Sequence, residues 1–222
     1  MNAIIVKIQK LLALAGNNPN EHERNEAMEM ALSMLADHNL DLAEVNGKNL
    51  SDKPDTHLER GINLEVWSRH ILLAVTKLYF TSLLIRKEGA KTNPIIIGTK
   101  ENIQVTLEIF KWLAESVKKE GNRLYSDHSL RRSFRLGAAK VILHRAMDLL
   151  REERAKGETN VTGTSLMVLR NGLERANEDY IGTLNVGVVK QRASNVNATA
   201  YANGAAYGNQ MSLKRQIAGA GG

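Results

Sequence analysis

The sequence predicts a mainly helical α+β fold. Three observations carry that expectation. Apolar residues recur at three-four spacing in most of the chain, the signature of helices with one buried face. Two short runs, Tyr79 to Lys87 and Pro94 to Thr99, are instead rich in β-branched and aromatic residues and are separated by Gly89, Asn93 and Pro94, as in a two-stranded ribbon. Polar or glycine-rich breaks divide the chain into an N-terminal helical hairpin (1–45), a linker (46–61), an α+β body (62–182) and a basic Gly/Ala-rich C-terminal arm (183–222).

The first element is an amphipathic helix over residues 2–15, in which Ile4, Ile5, Ile8, Leu11, Leu12 and Ala15 share a face and Gly16 supplies a stop. Asn18 or Asn20 caps a second helix. The second choice places Glu23 three residues on, as in a capping box, and Glu21, Glu23 and Glu26 suit the positive helix end. Ala27, Met30, Ala31, Met34 and Leu35 form its packing face, and small residues opposite leucines and isoleucines predict a tight antiparallel hairpin closed by His38 and Asn39.

Lys7-Ile8-Gln9-Lys10-Leu11-Leu12-Ala13-Leu14-Ala15, then Asn20-Glu21, Ala27 to Leu35 and His38 to Leu42, resembles the opening module of an uncharacterised domain-of-unknown-function family of bacteria, phages and prophages. The resemblance extends to the helix led by Trp67, to Phe134-x-x-Gly137 and to the tail Tyr201-x-x-Gly204-x-x-x-Gly208 with Leu213 and Arg215. It implies the helical fold and a phage or mobile-element setting. It implies no activity.

Residues 46–61 are polar, contain Gly47 and Pro54, and show no apolar period, hence the linker. The unit from Gly61 to Lys119 follows as helix, strand, strand, helix. Leu64, Trp67, Ile71, Val75 and Leu78 mark the first helix, and Ile103, Leu107, Phe110, Leu113 and Val117 the second. It holds both tryptophans and is the expected nucleus of the core. A break from Gly121 to Asp127 leads into a long helix from about His128 to Lys156, capped by Ser126 or Asp127. Gly137 and Ala138 in mid-helix predict the close approach of another backbone. After a loop from Gly157 to Gly163, Leu166, Leu169, Leu173, Ala176 and Tyr180 predict one more helix ending at Gly182. Val186, Val188 and Val189 suggest an extended arm, and Tyr201, Gly204, Ala205 and Gly208 a helix face that approaches something closely.

Composition narrows the function classes. The 222 residues include no cysteine, which removes disulfides, thiolate metal sites and cysteine nucleophiles. No apolar run reaches the roughly 18 residues of a membrane span, so the expectation is a cytoplasmic protein with no membrane partner. None of the six histidines forms H-x-x-x-H or H-E-x-x-H, and His144 with Asp148 falls short of the three ligands a metal usually needs, so neither a metal nor another cofactor is expected. No G-x-S-x-G elbow or phosphate-binding glycine loop is present, and Ser126 to Ser129 reads as a helix start rather than a triad.

What remains is charge. Residues 1–60 hold 6 Lys/Arg against 10 Asp/Glu, whereas residues 61–222 hold 24 against 14. A basic body attracts nucleic-acid phosphates. The candidate contacts are Arg131, Arg132, Arg135 and Arg145 on the long helix and Lys190, Arg192, Lys214 and Arg215 in the tail, where residues 183–222 hold four basic groups and no acidic one. Tyr201, with Tyr207, is the candidate for stacking on unpaired bases. The leading expectation is a non-enzymatic nucleic-acid-binding protein of phage or mobile-element type. The alternatives are a metal-dependent nuclease or hydrolase with a non-standard site, and an adaptor whose acidic N-terminal hairpin engages a host protein. A homo-oligomer joined through a sheet edge is a further expectation.

Overall fold

The computed structural model describes residues 54–58, 64–88, 91–157, 161–184, 186–187, 195–211 and 213, with eleven single positions between 6 and 34. Among them the fold is mainly helical, with five helices and one three-stranded antiparallel sheet. In chain order these are β1 (Asp55–Leu58), α1 (Val66–Leu78), β2 (Ser82–Glu88), β3 (Lys91–Gly98), α2 (Lys100–Leu124), α3 (His128–Gly157), α4 (Val161–Gly182) and α5 (Ala198–Gln210). The expected N-terminal hairpin lies largely outside the described residues. Within it, Asn20 Nδ2 donates to Glu23 Oε1 at 3.0 Å, and Ala27 is buried in the core.

The sheet order is β1-β3-β2. The expected ribbon is present as β2 and β3, paired from Ser82↔Ile97 to Glu88↔Lys91. The third strand is a correction: Asp55 to Leu58, in the stretch expected to be a linker, pair with Gly98 to Ile95. These four residues lack apolar alternation, and the ladder to β3 rather than any pattern of their own makes them a strand. Among the described residues β1 pairs with β3 as far as Ile95, next to Pro94, which pairs with Ile85 of β2.

The helix α1 buries Trp67, Ile71, Leu72 and Val75, and α2 buries Ile103, Leu107, Phe110, Leu113 and Val117, the faces that the spacing predicts. Thr99 caps α2 by accepting from the Asn102 N–H at 3.3 Å. The break expected from Gly121 to Asp127 is shorter, spanning Tyr125 to Asp127. The helix α2 continues to Leu124, and Gly121 within it packs closely on Phe134, whose ring would stand 3.1 Å from an added Cβ. Asp127 then caps α3, accepting from the Leu130 N–H at 2.9 Å.

The hub of the described fold is α3 rather than the helix-strand-strand-helix unit alone: α1, α2, α4 and α5 all pack on it. Phe134, Ala138, Ile142 and Ala146 are buried within it. The tail is not a free arm over residues 198–210, since these form α5, which lies along α3. A Cβ on Gly137 would overlap the Tyr201 carbonyl oxygen, one on Gly204 would overlap that of Phe134, and one on Gly208 would lie 2.6 Å from that of Ala138. The close approach expected at Gly137 and at Gly204 is therefore one contact seen from its two sides. Asn197 caps α5 through the Ala200 N–H at 3.0 Å, while its own N–H donates to Ser133 Oγ at 3.0 Å. Asn197→Ala is expected to lower stability by about 1 kcal/mol in urea unfolding, the usual cost of a lost cap.

The helix α4 begins at Val161, three residues before the expected start. Its inward stripe is also more polar than the leucine spacing predicts. Arg170 and Asn177 are almost fully buried, and Leu173, Ala176 and Tyr180 only partly. Both polar residues hold the turn between α1 and β2. Phe80 there adopts φ 54°, the left-handed region that a bulky side chain rarely enters. Asn177 Nδ2 donates to the Phe80 carbonyl at 3.1 Å, and the Arg170 guanidinium stacks on the Phe80 ring at 4.4 Å. Arg170 also donates to both carboxylate oxygens of Glu153 on α3, at 2.9 and 3.0 Å, and to the Lys77 carbonyl at 2.8 Å. One buried guanidinium thus ties together α1, α3 and α4.

Candidate functional site

The first two turns of α3 gather three of the nine candidate contact residues. Arg131, Arg132 and Arg135 fall at positions i, i+1 and i+4, which a helix places on adjoining faces. They meet the N-terminal turn of α1, because α1 packs across this end of α3. Arg69 of α1 joins them, held by hydrogen bonds from its Nε to the Leu64 carbonyl at 3.2 Å and from its Nη2 to Thr92 Oγ1 at 3.4 Å. Between the two helix ends lies a cavity of about 300 Å³. Leu64, Val66, Leu136 and Trp67 form its apolar wall, and Arg69, Arg132, His128 and Glu65 its polar one.

Arg135 is buried beside this cavity rather than displayed on the surface. Its guanidinium lies 5.6 Å from the Trp67 ring, Nη2 donates to Asn122 Oδ1 at 2.8 Å, and Nη1 stands 4.0 Å from Glu65 Oε1. Burial draws its pKa below the usual arginine value, Glu65 opposes that shift, and Arg131 adds to it. Three buried N–H donors of the cluster, Trp67 Nε1, Arg131 Nε and Arg135 Nε, have no hydrogen-bond partner among the described residues. Such donors are rare in folded interiors, where an unmet one costs about 1–3 kcal/mol.

The other candidates lie elsewhere. Arg145 is structural: Nη1 donates to the carbonyls of Gly208 and Met211, each at 2.7 Å, and so closes the C-terminal end of α5. Burial lowers its pKa. Tyr201 is half-buried on the α3–α5 contact, with the Lys140 ammonium 6.0 Å from its ring. Tyr207 packs against Phe134 with ring centroids 5.8 Å apart. Lys190, Arg192, Lys214 and Arg215 lie outside the described residues. Sequence reasoning missed Arg69, Trp67 and His128. Arg69 and Trp67 sit on the helix expected to be wholly structural, and His128 reads as a helix start. The one available signal was the absence of acidic residues in the first turn of α1.

Among the described residues no three His, Asp or Glu side chains come together as metal ligands would, and no helix is long and apolar enough to cross a membrane. Neither a curated protein nor a solved structure matches the chain. Residues 3–42 match the model of a family described as a protein of unknown function (DUF2786), which supports the resemblance of the N-terminal segment to an uncharacterised family.

Proposed function

We propose that the protein binds nucleic acid through phosphate contacts, with little reading of base sequence, at the N-terminal end of α3. The observation that carries this reading is the convergence of Arg69 and Arg132 on one cavity, with Arg131 and Arg135 on the adjoining turns of α3; among the described residues Glu65 is the one carboxylate that lines it. Guanidinium forks match phosphate oxygens, and the positive end of α1, which has no side-chain cap, favours anions further. The tail cations Lys190, Arg192, Lys214 and Arg215 add attraction without nearby acid. Action in the cytoplasm and a phage or mobile-element setting complete the proposal, the setting resting on the sequence resemblance alone.

The test is fluorescence anisotropy with short single- and double-stranded DNA and RNA. About three phosphate contacts, from Arg69, Arg131 and Arg132, predict a loss of affinity of roughly fortyfold between about 50 and 200 mM salt. Arg131→Ala with Arg132→Ala should weaken binding and flatten that salt slope, and alanine at the four tail cations should weaken it further. An affinity independent of salt, or no binding at low salt, overturns the proposal.

A further inference from the structure

We infer that the cavity between α1 and α3 is a nucleotide site that takes a terminal phosphate monoester, at the end of a strand or on a free nucleotide, with the base against its apolar wall. This rests on the phosphate-binding reading above and assigns it a ligand class. The first ground is shape. Buried Leu64 and Leu136 close one side of the cavity, so it holds a group that ends there rather than a backbone that tracks through. Its volume of about 300 Å³ is at the lower end for small-ligand sites, roughly 300–1,000 Å³.

The second ground is charge. Arg69 and Arg132 stand on the cavity wall with His128, and the one carboxylate there among the described residues, Glu65, lies 4.0 Å from Arg135. Two guanidinium groups suit the dianionic monoester better than the single charge of a diester. Glu65 precedes α1 without making a side-chain cap, and neither α1 nor α3 has an acidic residue in its first turn. The N-terminal end of α1 therefore brings positive charge to this space, whereas that of α3 is met by the Asp127 carboxylate.

The third ground is independent of the helix ends. Trp67 is only 5 % exposed, stands on the cavity wall, and carries an indole N–H with no partner among the described residues, and Arg135, whose guanidinium lies against its ring, has an unpartnered Nε as well. Buried donors in excess of acceptors call for an anion or another acceptor-rich group. The Trp67 ring, already stacked with Arg135 on one side, adds the aromatic surface that bases use.

The experiment compares full-length protein binding to one oligonucleotide sequence carrying a 5′-phosphate, a 3′-phosphate or neither, alongside adenosine monophosphate, adenosine and inorganic phosphate. Trp112→Phe leaves Trp67 as the sole tryptophan and its emission as the local reporter. One phosphorylated end is expected to bind at least tenfold tighter than the unphosphorylated strand, and adenosine monophosphate to change Trp67 emission where adenosine does not. Arg132→Gln should abolish the gain. Arg151→Gln, also exposed and about 28 Å further along α3, should keep it. Salt-sensitive binding with no preference for any phosphorylated end, and no Trp67 response, overturns the inference and leaves the nucleic-acid reading intact. A Trp67 response to the mononucleotide without binding of any oligonucleotide supports the site and overturns that reading. No response to any probe overturns both.

Discussion

Gly204→Ala is expected to destabilise the protein by roughly 3 kcal/mol or more, although alanine is the better helix former by about 1 kcal/mol. The sign follows from where the new methyl group would sit. At Gly204 a Cβ overlaps the carbonyl oxygen of Phe134, a backbone atom that no side-chain rotation can move away. The two helices would have to separate, and the separation would be felt along the whole contact, since Gly137 and Gly208 meet the partner backbone in the same way. It would also loosen the ends of α5, where Ser133 receives the Asn197 N–H and Arg145 holds the last carbonyls. Thermal unfolding followed by circular dichroism should show a Tm lower by on the order of 10 °C. Gly182→Ala is the control. A Cβ there has nothing within 4 Å, so the variant should be neutral or gain up to about 1 kcal/mol. If Gly204→Ala also leaves Tm unchanged or raises it, the close α3–α5 packing is wrong.

Arg170→Met is expected to cost about 3–5 kcal/mol, because it leaves Glu153 as an uncompensated buried carboxylate. The pair is 3 % and 8 % exposed at its side chains, and its two hydrogen bonds are bidentate. Exposed pairs such as Arg151–Asp148, at 76 % and 58 %, should contribute no more than about 1 kcal/mol. Combining Arg170→Met with Glu153→Leu should recover most of the loss, since an apolar pair of similar volume avoids the desolvation of both charges. Recovery should stop short of completeness. The Lys77 carbonyl loses its donor and the Phe80 ring its cation. A double-mutant cycle in urea measures the coupling directly. Additive single effects would mean that the buried pair does not act as a unit and that the helices meet through apolar contacts alone.

Much of the fold was legible in the sequence, and the reason is periodicity. The stripes of α1 and α2, the ribbon of β2 and β3, and the span of α3 rest on side chains whose burial the chain repeats every three or four residues, or in short branched runs. The paired signals at Gly137 and at Gly204 and Gly208 were also readable, because glycine in a helix has a cost that only close packing repays. The candidate site was legible in part. Arg131, Arg132 and Arg135 were marked as cations on one helix, while Arg69, Trp67 and His128 were not. Charge can be counted along a sequence, but convergence of two helix ends leaves no local pattern.

By itself, the sequence determined the helical type of α1 to α5 and the β2–β3 ribbon, the basic character of residues 61–222 and the absence of every cysteine-based chemistry. Only the tertiary structure decided what the polar residues do. Arg135, Arg145 and Arg170 are alike in a sequence, and each is buried for a different reason: against Trp67, against the last carbonyls of α5, and against Glu153. It also made a strand of Asp55–Leu58 and docked α5 on α3, because ladder hydrogen bonds and backbone approach depend on partners remote in the chain. A local pattern reports which side of an element is apolar. The burial of a charge depends on the partner that meets it, and that partner is set by the fold.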